Sequence, residues 1–160
     1  AYDLAKWGPT AFNSQPMRIV LANSDNARER LVDLVMEGNQ ERIKVAPQVA
    51  IIAADNEFFK NFELINPGMV NSPMIKNAEL VHNVAISQSW LQLGYFTLAL
   101  RAQGLAVGPM TGIHVAQINE AFFADSSLEV IAVLAIGHAD PAATRPRNPR
   151  VPIDEAIKSI

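Results

Sequence analysis

The stretch Ala78–Ala102 sets the strongest constraint on how this chain folds. It reads as one continuous helix of roughly 25 residues, about 37 Å long at 1.5 Å per residue, and Gly104 stands just beyond it as a terminator. After Trp90, apolar side chains (Leu91, Leu93, Tyr95, Phe96, Leu98, Ala99, Leu100) wrap most of its circumference. A helix apolar around its circumference belongs in an interior, so this one predicts burial on several sides and requires other elements to be laid around it.

The remaining elements read as helices and strands in alternation. Residues 1–7 look like the end of a helix that breaks at Gly8-Pro9, and so abrupt a start inside an amphipathic pattern implies residues upstream of Ala1. Met17–Leu21 predicts a strand. Ser24 predicts the N-cap of a helix reaching about Glu37, with Leu31, Leu34 and Val35 on one face and Gly38 ending it; a short polar segment, 39–44, then leads to Pro47. The β-branched run 49–54 predicts a buried strand. Residues 56–72 read as irregular, with Asn66-Pro67-Gly68 as a turn. Residues 105–107 predict a short strand that stops at Gly108-Pro109, Val115–Phe123 a helix, and 128–136 an interior strand. A proline- and arginine-rich tail, 140–152, precedes a small helix starting at Ile153. Few strands around one long helix predict an α+β sandwich in a single domain spanning 1–160, not a doubly wound sheet.

Composition removes several classes of function. A net charge of −3 and a pI of about 5.6 give no footprint for nucleic acid or an acidic membrane surface. The longest apolar segments carry polar residues, so no membrane span is expected. With no cysteine there are no disulfides, thiol nucleophiles or thiolate metal sites, which fits a reducing, cytoplasmic setting. The three histidines, His82, His114 and His138, are far apart. No His-Glu-x-x-His set and no Gly-x-Ser-x-Gly elbow occurs, so neither a metal site nor a serine hydrolase is expected. His82 and His138 read as hydrogen-bonded structural histidines.

Four loops carry the chemistry that remains. The first is Trp7-Gly8-Pro9-Thr10-Ala11-Phe12-Asn13-Ser14-Gln15-Pro16, where prolines stiffen a turn that presents the carboxamides of Asn13 and Gln15 beside a strand. An asparagine carries both donor and acceptor, which suits the alternating N–H and C=O edge of a flavin pyrimidine; on pattern alone, capping of a turn's own backbone is the commoner use. In the second loop Asn39 and Arg42 stand three apart and share a face if helical. An arginine there could stabilise negative charge at flavin N1 and O2, or pair with an acid at a helix end. The third, Gly108-Pro109-Met110-Thr111-Gly112, has glycines that let main-chain N–H groups approach a ligand or simply turn the chain from strand to helix, and it lacks the spacing of a dinucleotide or P-loop motif. The fourth, Arg145-Pro146-Arg147-Asn148-Pro149-Arg150, displays guanidinium groups suited to a phosphate or simply to solvent.

In this order, the four loops resemble the FMN-dependent nitroreductase family, most closely its malonic semialdehyde reductase-like subgroup. Glu37-Gly38-Asn39, Ala46-Pro47, Gly104-Leu105, Ile136-Gly137 and Arg147-Asn148-Pro149-Arg150 extend the resemblance over nearly the whole chain. It implies a mixed sheet packed by helices, a domain-swapped homodimer, and FMN at each of two subunit interfaces. It also implies ping-pong reduction by NADH or NADPH, followed by a small-molecule oxidant such as a nitroaromatic, a quinone or a small aldehyde. Carried over residue by residue, it implies flavin contacts for Pro9, Thr10, Asn13, Gln15 and Asn39. Arg42 stands where relatives commonly have a lysine near N1 and O2. Pro109, Met110, Thr111 and Gly112 match the loop against the flavin, with the Thr111 N–H as the donor to N5, and Arg147 and Arg150 match a basic tail near the phosphate. No side chain is implied as a catalytic acid or nucleophile. Two departures accompany the match: the family's first helix and arginine-rich phosphate segment would precede Ala1, and region 58–83 is shorter than the mobile cover found in relatives. A protein that keeps the fold and binds flavin, or senses a ligand, without turnover is the alternative.

Overall fold

The computed structural model of the chain describes residues 1–143 and 146–160. Chain order runs α1 (Tyr2–Ala5), β1 (Met17–Leu21), α2 (Asp25–Val32), α3 (Glu37–Val45), β2 (Gln48–Asp55) and α4 (Phe62–Ile65). It continues through α5 (Ala78–Ala102), β3 (Ala106–Met110), α6 (Val115–Phe123), β4 (Leu128–Gly137) and α7 (Ile153–Ala156).

Local chemistry accounts for the clearest boundaries. Asn77 Oδ1 accepts the Leu80 N–H at 3.0 Å and starts α5, and Gly104, at φ +80°, closes its far end in a conformation that side chains resist. Ser24 Oγ accepts the Ala27 N–H at 3.2 Å to begin α2. The helix expected over 24–37 is nevertheless two helices. After Val32 the chain leaves the helix so that Leu34 O can accept the His114 N–H, and the Met36 N–H can reach Gly112 O, both at 2.9 Å. Val35 bridges Ile113 between them. Pairing with a segment about 80 residues away thus overrides the local helical period. Gly38 stops nothing: it lies in the first turn of α3, and the segment expected to be merely polar is helical. Residues 56–72 hold short 3₁₀ turns and α4 where irregular chain was expected.

The strands form one sheet in the order β1-β2-β4-β3. Every pairing is antiparallel, which corrects the expected mixed sheet: among the described residues no fifth strand lies parallel to any of the four. β3 passes through Gly108 and Pro109 to Met110, whereas it was expected to stop there. It is an edge strand, where the N–H that proline lacks need not enter a ladder. Between β2 and β4 the register shifts, Ile52 facing Ala132 and Ala53 facing Val130. Ile131 is the extra residue, and it joins Ala132 on one face of the sheet.

That face (Ala50, Ile52, Ala54, Ala132, Leu134, Ile136) packs on Val84, Ala85, Leu93, Phe96 and Leu100 of α5 and on Phe58 and Phe62. The opposite face (Val49, Ile51, Ala53, Val130, Val133) packs on Leu31 of α2, Ile43 of α3, and Ile118 and Phe123 of α6. Helices therefore cover the sheet on both sides, which explains why β2 and β4 are near-continuous apolar runs. Within one chain α5 buries a single side, contrary to the burial expected on several. Trp90, Leu91 and Leu98 on its outer side are 41%, 41% and 67% exposed, since no element among the described residues covers them. Every described residue of 138–160 is also exposed, Val151, Ile153 and Ile157 included. No helix among the described residues is long and apolar enough to cross a membrane.

Candidate functional site

The loop before β1 is held in an unusual backbone shape. Phe12, Asn13 and Gln15 have φ of 59°, 53° and 43°, a region costly for side-chain-bearing residues and for phenylalanine most of all. Side chains from distant elements hold the main chain there. Tyr95 donates its hydroxyl to Pro9 O at 3.1 Å, and Gln88 Oε1 accepts the Ala11 N–H at 2.8 Å. Gln92 Oε1, buried, accepts the Met17 N–H at 2.9 Å. From the 62–66 segment, Asn66 Nδ2 donates to Phe12 O at 2.7 Å. Arg18 donates to Gln15 O at 2.8 Å while pairing with Asp55 at 2.7 Å, and Asp55 also accepts from the Ser127 hydroxyl at 2.7 Å.

The predicted side chains of this loop lie together. Thr10 Oγ1 accepts the Gln15 N–H at 3.2 Å, Gln15 Nε2 donates to Asn13 Oδ1 at 2.9 Å, and Asn13 Nδ2 donates to Ile65 O at 2.7 Å. A carboxamide offers two N–H donors and two lone pairs, so Asn13 keeps one of each for a ligand. Pro9, Asn13 and Gln15 line a small cleft with Lys6 and Trp7. The hydrogen bond between Lys6 and Asp3 holds the Asp3 carboxyl below its ordinary value and the Lys6 amine above its own.

Asn39 and the loop after β3 form a second cluster. Gly112 O accepts both the Met36 N–H, at 2.9 Å, and Asn39 Nδ2, at 3.0 Å. The approach is close enough that a Cβ on Gly112 would sit 2.8 Å from Asn39 Nδ2 and 3.2 Å from Met36 Sδ. Among the described residues the N–H groups of Thr111 and Gly112 have no partner. Arg42, three residues beyond Asn39 on α3, is exposed and has no ion pair among them. Pro109 is exposed on the edge strand and Met110 is buried in the core. This cluster suits a flat, polar ligand: two open main-chain donors and a carboxamide meet at a glycine packed closely on Asn39, and the cation of Arg42 lies one turn further along α3.

A single chain does not bring the two clusters together. One precedes β1 and the other follows β3, at opposite edges of the sheet. Three strand spacings separate those edges, about 14 Å. Among the described residues Arg147 and Arg150 join neither cluster; Arg150 Nη1 donates to the nearby Asn148 and Pro149 carbonyls. Arg145 lies outside the described residues. His82 is the structural histidine expected, 3.1 Å from Asn56 Oδ1 and 3.5 Å from Glu129. His138 is not, because the chain leaves the body after Gly137 and the residue is exposed. Sequence reasoning missed the residues that hold the first loop. Gln88, Gln92 and Tyr95 follow the helical spacing of one face in an otherwise apolar stretch, a detectable signal.

Helices on both faces of an antiparallel sheet define an α+β fold, and the loops at its two edges carry groups suited to a flat polar ligand. The sequence profile of the Nitroreductase family matches residues 1–138, and the chain belongs to that family of oxidoreductases. A protein of Streptomyces griseus subsp. griseus with the provisional name NADH dehydrogenase/NAD(P)H nitroreductase is 41% identical to it over 161 residues, covering 99% of this chain and 82% of that protein. A Staphylococcus epidermidis structure provisionally described as an NAD(P)H:FMN oxidoreductase matches with a TM-score of 0.84 at 22% identity, over 99% of this chain and 82% of that one. An Exiguobacterium sibiricum protein of provisional nitroreductase function, solved in complex with FMN, matches with a TM-score of 0.82 at 23% identity, over 99% and 83%. At those identities the likeness to solved structures establishes the fold.

Proposed function

We propose that this protein is an FMN-dependent NAD(P)H oxidoreductase, working by ping-pong two-electron transfer to a nitroaromatic, a quinone or a small aldehyde such as malonic semialdehyde. The observation that carries the reading is the unpartnered Thr111 and Gly112 N–H pair beside Asn39 and the free Arg42. When bound, FMN would supply the hydride-transfer chemistry between NADH or NADPH and the oxidant. The chain's own residues position and polarise. Asn13 offers its spare donor and acceptor to the pyrimidine edge, supported by Pro9, Thr10 and Gln15. The Thr111 N–H donates toward N5, and Arg42 stabilises charge at N1 and O2. Arg147 and Arg150 meet the phosphate.

The same reading makes the protein a domain-swapped homodimer, because one chain carries the two half-sites on opposite edges. A second copy would bring its own half-site alongside, cover Trp90, Leu91 and Leu98, and receive an exposed tail whose Val151, Ile153 and Ile157 need an apolar surface. β1 offers one. Its ladder bonds to β2 run through alternate residues, leaving the main-chain groups of Ile19 and Leu21 on the open edge. Beside them a groove of about 750 Å³ is lined by Tyr2, Ile19, Leu21, Leu64, Ile65 and Phe96.

The test is the visible spectrum of the purified protein with added FMN, before and after anaerobic NADH or NADPH, together with its sedimentation mass. Flavin bands that bleach with reductant and return with a nitroaromatic, quinone or aldehyde are the expected result, on a particle of twice the chain mass. Bound flavin that never bleaches would replace the enzyme with a flavin-binding protein lacking turnover, and a colourless protein that takes up no FMN would refute both.

A further inference from the structure

The first loop and the 62–69 segment are joined by a reciprocal pair of carboxamides. Asn66 Nδ2 donates to the carbonyl of Phe12, the residue before Asn13; Asn13 Nδ2 donates to the carbonyl of Ile65, the residue before Asn66. Both bonds are 2.7 Å. Phe12 and Asn13 are two of the three left-handed residues in the loop, so the Asn66 bond falls where the backbone most needs holding.

The segment that carries Asn66 is itself anchored. The Asn66 N–H bonds Phe62 O at 2.9 Å. Phe62 is fully buried and meets Phe58 edge-on, with ring centres 5.8 Å apart. Pro67 follows and keeps Asn66 out of the helical region, at φ −160° and ψ 74°. A rigid support therefore grips Phe12 O from one side while Ile65 O and Gln15 Nε2 take one donor and one lone pair of Asn13. The other donor and lone pair of Asn13 are left in a fixed direction.

We infer that Asn66 is a positioning residue for the flavin: by holding Phe12 O it fixes the left-handed turn that aims the Asn13 carboxamide, without itself touching the cofactor. This rests on the proposed FMN site, and it adds a residue that neither the family resemblance nor the loop composition marks. Preorganisation of this kind appears as cofactor affinity, because a loop already in its bound shape has less ordering to undergo.

The test uses Asn66→Asp, which keeps the side chain's size and removes its donor, and Asn66→Ala as a second variant. Two readouts are needed. In the flavin-free protein, amide hydrogen exchange over 10–15 should quicken at least ten-fold in Asn66→Asp while the middle of α5 stays protected. FMN affinity, by quenching of free flavin fluorescence, should fall about ten-fold, the value of one hydrogen bond of ordinary strength. In an Asn13→Ala background the same substitution should weaken FMN binding less than two-fold, because Asn66 acts through Asn13. Unchanged exchange and unchanged affinity in both variants would overturn the inference, and so would full multiplication of the two losses. If the unsubstituted protein takes up no FMN, the functional reading fails and this inference with it; if it binds FMN and Asn66→Asp binds equally well, this inference alone fails.

Discussion

Gly112→Ala probes the contact on which the second half-site depends. The backbone at Gly112 is not left-handed, so alanine is permitted there and would by itself stabilise by roughly 0.4–1 kcal/mol through the unfolded chain. Against that, the new Cβ would stand 2.8 Å from Asn39 Nδ2 and 3.2 Å from Met36 Sδ. Asn39 must move by several tenths of an ångström, which breaks its 3.0 Å bond to Gly112 O. The lost bond costs about 1 kcal/mol, and because Asn39 Nδ2 and Met36 Sδ are the ends of flexible side chains that can swing aside, crowding adds little; set against the gain above, the variant should be less stable by about 0–1 kcal/mol. At roughly 2–4 °C per kcal/mol for a domain of this size, thermal unfolding should fall by no more than about 4 °C. A double-mutant cycle identifies the cause. With Asn39→Ala already in place the obstructing atom is gone, and Gly112→Ala should then cost at least about 1 kcal/mol less than it does alone. Equal costs in both backgrounds would show that Asn39 does not enforce the glycine, and the close approach of these two residues would lose its standing as the reason for the loop's geometry.

Two further predictions concern charge. Arg42→Ala in the FMN-loaded protein should lower the two-electron potential by roughly 20–90 mV, the range for one charge about 4 Å away at effective dielectrics from 80 down to 20; a potential within a few millivolts of the original would remove Arg42 from N1 and O2. Arg18→Ala should destabilise by about 1–3 kcal/mol in urea melts, less than a fully buried pair because the Arg18 side chain is 33% exposed and Asp55 keeps the Ser127 hydroxyl and the Glu57 N–H. A loss below about 0.5 kcal/mol would mean that water replaces the arginine at no cost.

What was legible in the sequence was local. Ala78–Ala102, Met17–Leu21 and Val115–Phe123 have the bounds that period, caps and breakers predict, because α5 begins at a capping asparagine and ends beside a left-handed glycine. The errors fall where a distant partner decides. Val35 leaves the helical pattern to bridge Ile113, and Pro109 continues a strand because that strand is an edge. The site divides in the same way. Stiffness and carboxamides marked the first loop, whereas its supports lie 52 to 86 positions away in Ile65, Asn66, Gln88 and Tyr95. No local pattern encodes a bond from Tyr95 to Pro9 O.

The unfinished surfaces of the chain share one physical origin. A three-layer fold of four strands could cover its long helix with one more element, yet the described residues after Gly137 leave the body and stay exposed. Leu98 and Trp90 are uncovered, β1 keeps an open edge, and the two ligand-ready clusters stand on opposite sides. Each feature alone would be a liability for a soluble monomer. Two copies in isologous contact would remove them together, since a twofold axis sets the first loop of one chain against the Thr111 loop of the other and does the same again on the far side. In that arrangement the apolar area that stabilises the dimer also fixes the distance between the two halves of each site. In the proposed dimer, cofactor binding and subunit association would be linked through one set of contacts, so the outer face of α5 would act on the flavin without lying near it.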